Sequence, residues 1–284
     1  MRMVGMDDGV RLRTWTTGTA GELPPVVLLH GGPGLWDYLE PVARLLAPLT
    51  VVHRFDQRGC GGSDPSDEQT LARYVADVEA LRRHWGHRTW VVLGHSFGAT
   101  LAFDYAVAHP GHTAALGYLS GVGVGDWRTP YRRERQRRMT AAQFERLADL
   151  DGQAGRTRDE EIEYRALCWF TDYADPVAGW AQAVADARPD VPINMAANRR
   201  LVAETDAGEA ARLADARRIA HPCWFLHGAA DPRPADAVAK LAAAVPGARM
   251  RVIDGAGHQP WFERPDELGA VLRELLAEAG RTCG

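Results

Sequence analysis

The chain has 284 residues, of which 46% are hydrophobic, 25% charged and 8% aromatic. This composition excludes a disordered or fibrous chain, and it is ample for one large core that needs neither a disulfide nor a structural metal. The net charge of −4 argues against a surface that binds the phosphates of a nucleic acid. One α/β domain with an insertion is the expected architecture.

The N-terminus and the cysteines indicate the cellular compartment. Residues 1–10 contain two aspartates and no apolar run of signal-peptide length, and nowhere do about 18 apolar residues run together. The cysteines form no CxxC pair and no cluster with histidines; they are Cys60, Cys168, Cys223 and Cys283. We therefore expect a cytoplasmic protein with reduced thiols, no metal site, and no membrane or nucleic-acid partner.

Short β-rich runs alternate along the chain with glycine-rich turns and segments of helical periodicity. Most of these runs are continuously apolar, which is typical of parallel strands covered by helices on both faces. An antiparallel hairpin of Met1–Gly5 and Val10–Thr17 is predicted at the edge of the sheet. The other predicted strands are Val26–His30, Thr50–Phe55, Thr89–Gly94, Ala114–Ser120, Cys223–His227 and Arg249–Ile253.

Apolar residues between the strands recur at steps of three and four, as one face of an amphipathic helix requires. Residues 71–85 show this pattern, and so does the segment after Pro265, a residue type favoured at the first helical position. Further helices are predicted over Ala99–Ala108 and from about Trp36.

The alternation of strands and helices stops between residues 122 and 217. That stretch contains arginine-rich and alanine-rich segments with helical character and no convincing strand. It predicts a helical cap, residues 122–217, inserted into a core formed by residues 1–121 and 218–284.

The strongest chemical signal is Gly94-His95-Ser96-Phe97-Gly98, which lies between a predicted strand and a predicted helix. A serine on so sharp a turn needs small neighbours, because the backbone is strained and the strand and helix pass close together. The helix N-terminus also places positive potential where negative charge develops during acyl transfer. Ser96 is the predicted nucleophile, the alternative being a serine that caps a helix, and His95 is expected to be structural.

A nucleophilic serine of this kind needs an acid and then a histidine later in the chain. Asp231 follows one predicted strand and His258 follows the next, so both would lie at carboxyl ends of strands. We predict that His258 takes the proton of Ser96 and that Asp231 orients and stabilises the imidazolium. Asp231 could instead be a turn residue, and Asp254 is a rival acid on a less suitable strand.

Glycines after the first parallel strand predict the remaining part of the site. In His30-Gly31-Gly32-Pro33-Gly34, two adjacent glycines let the backbone approach a reacting carbonyl group. The Gly32 amide is predicted to form an oxyanion hole with the Phe97 amide, and Gly31 is expected beside the substrate. A simple turn before the next helix is the alternative.

A second glycine-rich loop is Asp56-Gln57-Arg58-Gly59-Cys60-Gly61-Gly62-Ser63-Asp64. We expect this loop to be structural, with Asp56 paired to Arg58 and the glycines forming the bend. The Cys60 thiol could line the pocket, but no direct chemical role is expected for it.

These motifs carry a resemblance to a known family. The His30–Gly34 and Asp56–Asp64 loops resemble those of the proline iminopeptidase family within the α/β-hydrolase superfamily, and the similarity covers residues 1–121 and 218–284. The resemblance implies the α/β-hydrolase fold with an inserted helical cap. It also implies release of an N-terminal proline from short peptides, with no metal or organic cofactor.

Three positions depart from that family's pattern. The family usually has Gly-Gly-Ser-Trp-Gly at the serine, where this chain has His95 and Phe97, and often Arg-Tyr before the acid, where two alanines precede Asp231. A glutamate that holds the substrate's ammonium group in the family aligns with Ala197. The chain is therefore predicted to be a proline iminopeptidase-like serine hydrolase that forms an acyl-enzyme. The alternatives are an esterase, thioesterase or lactone hydrolase acting on a small metabolite and, more remotely, a non-catalytic binding protein.

The cap is expected to select the substrate, a small molecule or short peptide. An aromatic and acidic cluster could bind an amine, although helix packing with an Asp-Pro turn is the simpler interpretation. The cluster comprises Trp169, Phe170, Asp172, Tyr173 and Asp175. Glu204 is another candidate ammonium partner. The arginine-rich run Arg128–Arg138 is predicted to be a solvated helix, from which one or two side chains could turn inward to bind a carboxylate.

Overall fold

The computed structural model describes residues 1–282. Its strands are β1 (Arg2–Gly5), β2 (Arg11–Thr17), β3 (Val26–Leu29), β4 (Val52–Phe55), β5 (Trp90–His95), β6 (Thr113–Leu119), β7 (Cys223–Gly228) and β8 (Arg249–Ile253). They form one sheet in the order β1-β2-β4-β3-β5-β6-β7-β8. The pairs β1–β2 and β2–β4 are antiparallel and all other neighbours are parallel, which confirms the predicted α/β fold and its edge hairpin.

The central strands are apolar because helices cover both of their faces. Every residue of β3, β5, β6 and β7 is buried. Within β3, Val27 and Leu29 belong to one core cluster, while Val26 and Leu28 belong to the cluster on the opposite face. This period of two within an all-apolar strand is what a strand covered on both sides requires.

The helices in the described part of the chain are α1 (Glu40–Leu46), α2 (Leu71–His84), α3 (Phe97–Ala108), α4 (Arg128–Arg138), α5 (Ala141–Asp151), α6 (Arg158–Trp169), α7 (Pro176–Ala187), α8 (Met195–Ala207), α9 (Glu209–Ala216), α10 (Ala235–Ala244), α11 (Pro260–Glu263) and α12 (Pro265–Thr282). Apolar residues of α2, α3 and α10 cover one face of the sheet. Those of α1 and α12 cover the other face.

The helix expected from about Trp36 begins only at Glu40. Asp37 explains the difference, because its buried carboxylate accepts the Leu39 N–H and forms an ion pair with Arg54. These bonds hold the preceding segment in a turn. A proline then stands in the first turn of α1, a position where proline is favoured.

Residues 122–217, called the cap segment below, contain α4–α9 and no strand among the residues described. Helices α5–α7 share a small apolar cluster that includes Leu150 and Ala183. Helices α8 and α9 instead join the main core through Leu201 and Ala216. One half of the segment thus has its own core, while the other half packs on the sheet domain.

The described cysteines, Cys60, Cys168 and Cys223, are unpaired, and Cys283 lies outside the described residues. Burial raises the pKa of the Cys60 thiol to about 12, so the thiol stays protonated at neutral pH. Within residues 1–282, no helix combines the length and the apolar character needed to cross a membrane.

Candidate active site

Ser96 lies in the turn between β5 and α3 with backbone angles φ 58° and ψ −122°. Few residues other than glycine adopt such angles, and holding them costs on the order of 1–3 kcal/mol. Flanking glycines permit the turn. A Cβ added to Gly94 would lie 1.9 Å from the Gly98 carbonyl oxygen, and one added to Gly98 would lie 2.0 Å from the Leu29 carbonyl oxygen. The sequence therefore presents the serine on a strained turn that larger neighbours would not allow.

Gly32 and Phe97, the residues predicted to form the oxyanion hole, both line a cavity with Ser96. Phe97 is the first residue of α3, so its N–H belongs to the helical turn whose N–H groups have no partner within the helix. Gly32 has φ 127° and lines a cavity together with Ser96 and Phe97. Gly31 packs so closely that an added Cβ would lie 2.8 Å from the Ser96 Cβ. Its own N–H already donates to the Tyr38 hydroxyl at 2.9 Å.

Asp231 and His258 meet in the loops that follow β7 and β8. Nδ1 of His258 lies 2.7 Å from Oδ2 of Asp231. Oδ1 of the same carboxylate accepts the backbone N–H of Arg233 at 2.9 Å, so Asp231 also stabilises the turn between residues 231 and 233. Burial alone would raise the pKa of Asp231, but the charges of His258 and His227 and the hydrogen bond from His258 hold it well below its usual value. The carboxyl group is therefore ionised at neutral pH.

Two cavities reach Ser96. The larger of these two, called the larger cavity below, has a volume of about 440 Å³ and is also lined by His258. Its walls include Tyr131, Arg135 and Asp186 of the cap segment. A smaller cavity of about 210 Å³ also reaches Ser96. Within residues 1–282, no group of three His, Cys, Asp or Glu side chains is arranged to hold a metal ion.

The structure divides the aromatic and acidic cluster of the cap segment. Trp169 and Asp172 line the larger cavity. Phe170 is instead buried in the apolar cluster of the cap segment, and the Tyr173 hydroxyl donates to Asp186 at 2.6 Å. Of the predicted amine-binding cluster, one aromatic ring and one carboxylate therefore face the cavity.

Other candidates have structural partners. Asp175 accepts the Val177 N–H at 2.8 Å and caps α7, as the Asp-Pro turn interpretation expects. Glu204, the other candidate ammonium partner, accepts the Leu71 N–H at the start of α2 at 3.0 Å and is not among the residues that line the cavities at Ser96. Asp254, the rival acid, has an exposed side chain. The acid that contacts His258 is Asp231.

Asp56 and Arg58 do not form the expected pair. Arg13 of β2 forms an ion pair with Asp56 at 2.6 Å. Arg58 turns towards α2, where its Nε and one Nη each donate to Asp77 at 2.7 Å. The expectation was wrong because another element offers the guanidinium a bidentate partner, a geometry that favours arginine–carboxylate pairs.

Sequence reasoning missed Arg233, which links the cap segment to the loop after β7. Its guanidinium lies 2.9 Å from the Asp172 carboxylate, 3.3 Å from that of Asp231 and 4.7 Å from the centre of the Tyr131 ring. Burial alone would lower the pKa of Arg233, but the charges of Asp172, Tyr131 and Asp231 and the hydrogen bond to Asp172 together outweigh this effect, and the pKa rises above its usual value. The feature of the sequence that could have indicated a role for Arg233 is its position directly after the Asp231–Pro232 turn.

Two more charged side chains line the larger cavity. Asp186 accepts hydrogen bonds from the Tyr173 hydroxyl at 2.6 Å and the Gln182 amide at 2.9 Å. Burial raises the pKa of Asp186, although these hydrogen bonds oppose the effect. Arg135 donates to the Leu167 carbonyl oxygen at 3.4 Å, and its buried Nε has no hydrogen-bond partner among the described residues. The cavity thus offers both a carboxylate and a guanidinium.

Arg138, also from the arginine-rich run, turns inward for a different purpose. It donates to the carbonyl oxygens of Thr171 (2.8 Å), Tyr173 (2.9 Å) and Ala230 (2.7 Å). These bonds fasten α4 to the loop that precedes Asp231, so Arg138 holds the cap segment on the core.

The beginning of α8 is fastened to both glycine-rich loops. Asn194 donates its backbone N–H to the Gly34 carbonyl oxygen at 2.9 Å and its side-chain amide to that of Gly59 at 3.0 Å. The Asn198 side chain donates to the Pro33 carbonyl oxygen at 2.8 Å. The loop that carries Gly32 is therefore held from above by the cap segment.

The alpha/beta hydrolase family model matches residues 26–271. A probable proline iminopeptidase from Streptomyces coelicolor is 36% identical over 137 residues, which are 43% of this chain and 40% of that protein. The chain thus matches less than half the length of this curated relative.

Two solved structures align with this structure over almost the whole chain. The proline iminopeptidase of Mycobacterium smegmatis aligns with a TM-score of 0.72 and 21% identity, covering 100% of this chain and 99% of that one. The enol-lactonase of Burkholderia xenovorans LB400 aligns with a TM-score of 0.68 and 20% identity, covering 98% and 100%. At such identities the likeness shows the fold alone. With the family model matched over most of its length, the chain belongs to the alpha/beta hydrolase family and is similar to proline iminopeptidases.

Proposed function

We propose that the protein is a serine hydrolase that forms an acyl-enzyme, with Ser96 as nucleophile, His258 as base and Asp231 as the acid that orients it. The carrying observation is the 2.7 Å contact between His258 Nδ1 and Asp231 Oδ2, in a site where His258 lines the same cavity as a serine held at φ 58°. A carboxylate that accepts Nδ1–H leaves Nε2 of the neutral ring free to take a proton.

The reaction follows from these roles. Ser96 Oγ attacks the substrate's carbonyl carbon while His258 Nε2 takes its proton, and the amides of Gly32 and Phe97 stabilise the oxygen that becomes negative. When the bond to the leaving group breaks, His258 gives the proton to that group and the acyl group stays on Ser96. Water then attacks the acyl carbon and loses a proton to His258. Release of the carboxylic acid returns the proton to Ser96.

For the substrate, we propose the N-terminal prolyl bond of a short peptide, on the similarity to proline iminopeptidases. A short peptide carries an ammonium group at one end and a carboxylate at the other. The cavities around Ser96 carry both signs of charge, because Asp186 and Arg135 line the larger one and Asp206, which forms an ion pair with Arg128, lines the smaller one.

An ester, thioester or lactone of a small acid is the second candidate, and two observations favour it. Asp172 is neutralised by Arg233 at 2.9 Å. Ala197, which aligns with an ammonium-binding glutamate of the proline iminopeptidases, is fully buried in the core. Both features reduce the negative charge available to hold an amine.

Labelling with a fluorophosphonate tests the proposed chemistry. We expect an adduct on Ser96 in the folded protein, and none in Ser96→Ala. An unlabelled wild-type protein with native circular dichroism would show that the serine is not a nucleophile. Comparing L-prolyl p-nitroanilide with p-nitrophenyl butyrate then tests the substrate. Turnover of the ester without the prolyl amide would reject the peptidase assignment and favour the second candidate.

A further inference from the structure

The smaller cavity provides a second approach to Ser96. It shares Gly32, Ser96 and Arg233 with the larger cavity, so the two chambers meet at the nucleophile. Phe97 lines the smaller cavity and not the larger one. His258 lines the larger cavity and not the smaller one. The proposed base and the residue after the nucleophile therefore line different cavities.

This division determines how a substrate must lie. The leaving group receives its proton from the histidine, so it has to be on the side of His258. The acyl group bonded to Ser96 extends away from the leaving group. We propose that the smaller cavity is the acyl-binding subsite and that the larger cavity receives the leaving group. This assignment rests on the proposed serine hydrolase function.

The lining of the smaller cavity defines the acyl groups that it can take. Phe97, Val122, Trp127 and Val202 give it apolar walls. One polar atom is unsatisfied, because the buried Thr205 Oγ1 has no hydrogen-bond partner among the described residues. The subsite therefore fits a compact, mainly apolar acyl group with room for one hydrogen-bonding atom.

The volume sets an upper size. The cavity of about 210 Å³ has less than half the volume of the larger one. We therefore expect the ring of a prolyl group or a straight hexanoyl chain to fit it better than a decanoyl chain.

Part of the lining of the subsite is charged. Arg128 and Asp206, which both line the cavity, form an ion pair at 3.0 Å, and the Arg128 guanidinium lies 4.5 Å from the centre of the Trp127 ring. Both side chains are partly exposed. They also place a carboxylate within the subsite, where a prolyl ring nitrogen could meet it.

The test is a set of p-nitrophenyl esters with acetyl, hexanoyl and decanoyl groups, so that only the acyl part varies. Val202→Phe fills the smaller cavity, and Ala185→Phe, on the wall of the larger one, is the matched control. We expect Val202→Phe to lower kcat/KM for the hexanoyl ester about tenfold or more while the acetyl ester changes little. We expect Ala185→Phe to act instead on acetyl esters of bulky alcohols and to leave the acyl preference unchanged.

Equal losses for acetyl and hexanoyl esters in Val202→Phe, or a change in its leaving-group preference, would overturn the assignment. A crystal structure of the wild-type protein with a hexylphosphonate on Ser96 decides the question independently of any variant. The alkyl chain is expected in the smaller cavity, and a chain in the larger cavity would contradict the proposal. If Ser96 forms no adduct and no ester is hydrolysed, the proposed function itself fails together with the subsite.

Discussion

The ring of His95 donates a hydrogen bond from Nε2 to the carbonyl oxygen of His258 at 2.9 Å. Burial lowers the pKa of His95 well below its usual value, so the ring is neutral and its Nδ1 is an acceptor. The Tyr38 hydroxyl donates to that Nδ1 at 2.7 Å and accepts the Gly31 N–H at 2.9 Å. One chain of hydrogen bonds thus joins the loop of Gly32 to the backbone of the proposed base.

Removing the middle of this chain should impair turnover. Tyr38→Phe leaves the buried Nδ1 of His95 and the Gly31 N–H without their partner, which typically costs about 1–3 kcal/mol of stability. We expect kcat to fall more than KM rises, because the loop of Gly32 loses its position. Tyr105→Phe is the control, since its buried hydroxyl bonds Trp90 and Glu79 instead. Equal kcat losses in both variants, measured by steady-state kinetics, would argue against a positioning role for Tyr38.

The charge of Asp231 should be essential for turnover. Asp231→Asn keeps the shape of the side chain but removes the charge that stabilises the imidazolium in the proposed mechanism, and a comparable change in a known serine protease lowers kcat by about 10⁴. Asp254→Asn provides the control, because Asp254 is exposed in the neighbouring loop. We expect the Asp254 variant to keep wild-type kcat. If the two variants lost activity to the same extent, the assignment of the acid would have to be revised.

Arg233 should couple the cap segment to Asp231. Arg233→Gln leaves Asp172 with an unpaired, largely buried charge, a change that commonly costs about 3–5 kcal/mol. The double variant Asp172→Asn with Arg233→Gln removes both charges, so we expect it to recover part of the lost stability. Urea unfolding of the four proteins in this cycle gives the coupling energy. Purely additive losses would mean that the ion pair contributes nothing to the fold.

Glu79 should make stability depend on pH in acid. Burial alone would raise the pKa of Glu79, but hydrogen bonds from Arg82, Arg83 and Tyr105 lower it from 4.5 to about 2. Because the folded-state pKa is the lower one, the stabilisation is complete above about pH 4.5 and is lost as the pH falls towards 2. The difference in unfolding free energy between wild type and Glu79→Gln should therefore shrink across this range. A difference independent of pH would show that the ionised carboxylate is not stabilised.

The turn around Ser96 should not tolerate a methyl group. The Cβ of Gly98→Ala would lie 2.0 Å from the Leu29 carbonyl oxygen, so α3 would have to move away from β3. Overpacking of this kind typically costs about 1–3 kcal/mol or more, and the shift would displace Ser96. Gly155→Ala is the control, because nothing lies within 4 Å of the added atom. The melting temperature and the extent of fluorophosphonate labelling should both fall in Gly98→Ala and stay unchanged in Gly155→Ala.

The sheet could be predicted from the sequence because its signals are local. Apolar runs bounded by glycine turns mark β3 and β5, and their observed boundaries lie within two residues of the predicted ones. The same locality placed Ser96, Asp231 and His258 in loops that follow strands. The parallel order of the sheet, which the alternating pattern of strands and helices had indicated, brings these loops to one edge, where Asp231 contacts His258 and His258 lines a cavity with Ser96.

The cap segment was harder to predict because its contacts join residues far apart in the chain. The ion pair of Asp172 with Arg233 depends on how α4 and the residues after α6 pack on the core. The orientation of a side chain on an irregular helical segment does not follow from its periodicity. Glu204 illustrates the difficulty, because only the approach of α8 to α2 shows that it caps Leu71.

The bonds from Asn194 and Asn198 to the loop of Gly32 have a consequence for protein engineering. A cap segment transplanted from a relative would replace the groups that hold the Pro33, Gly34 and Gly59 carbonyl oxygens. The two loops and the start of α8 therefore have to match one another, although they are far apart in the sequence. A chimera designed to exchange substrate preference should therefore exchange residues 31–34 and 59 together with Asn194 and α8.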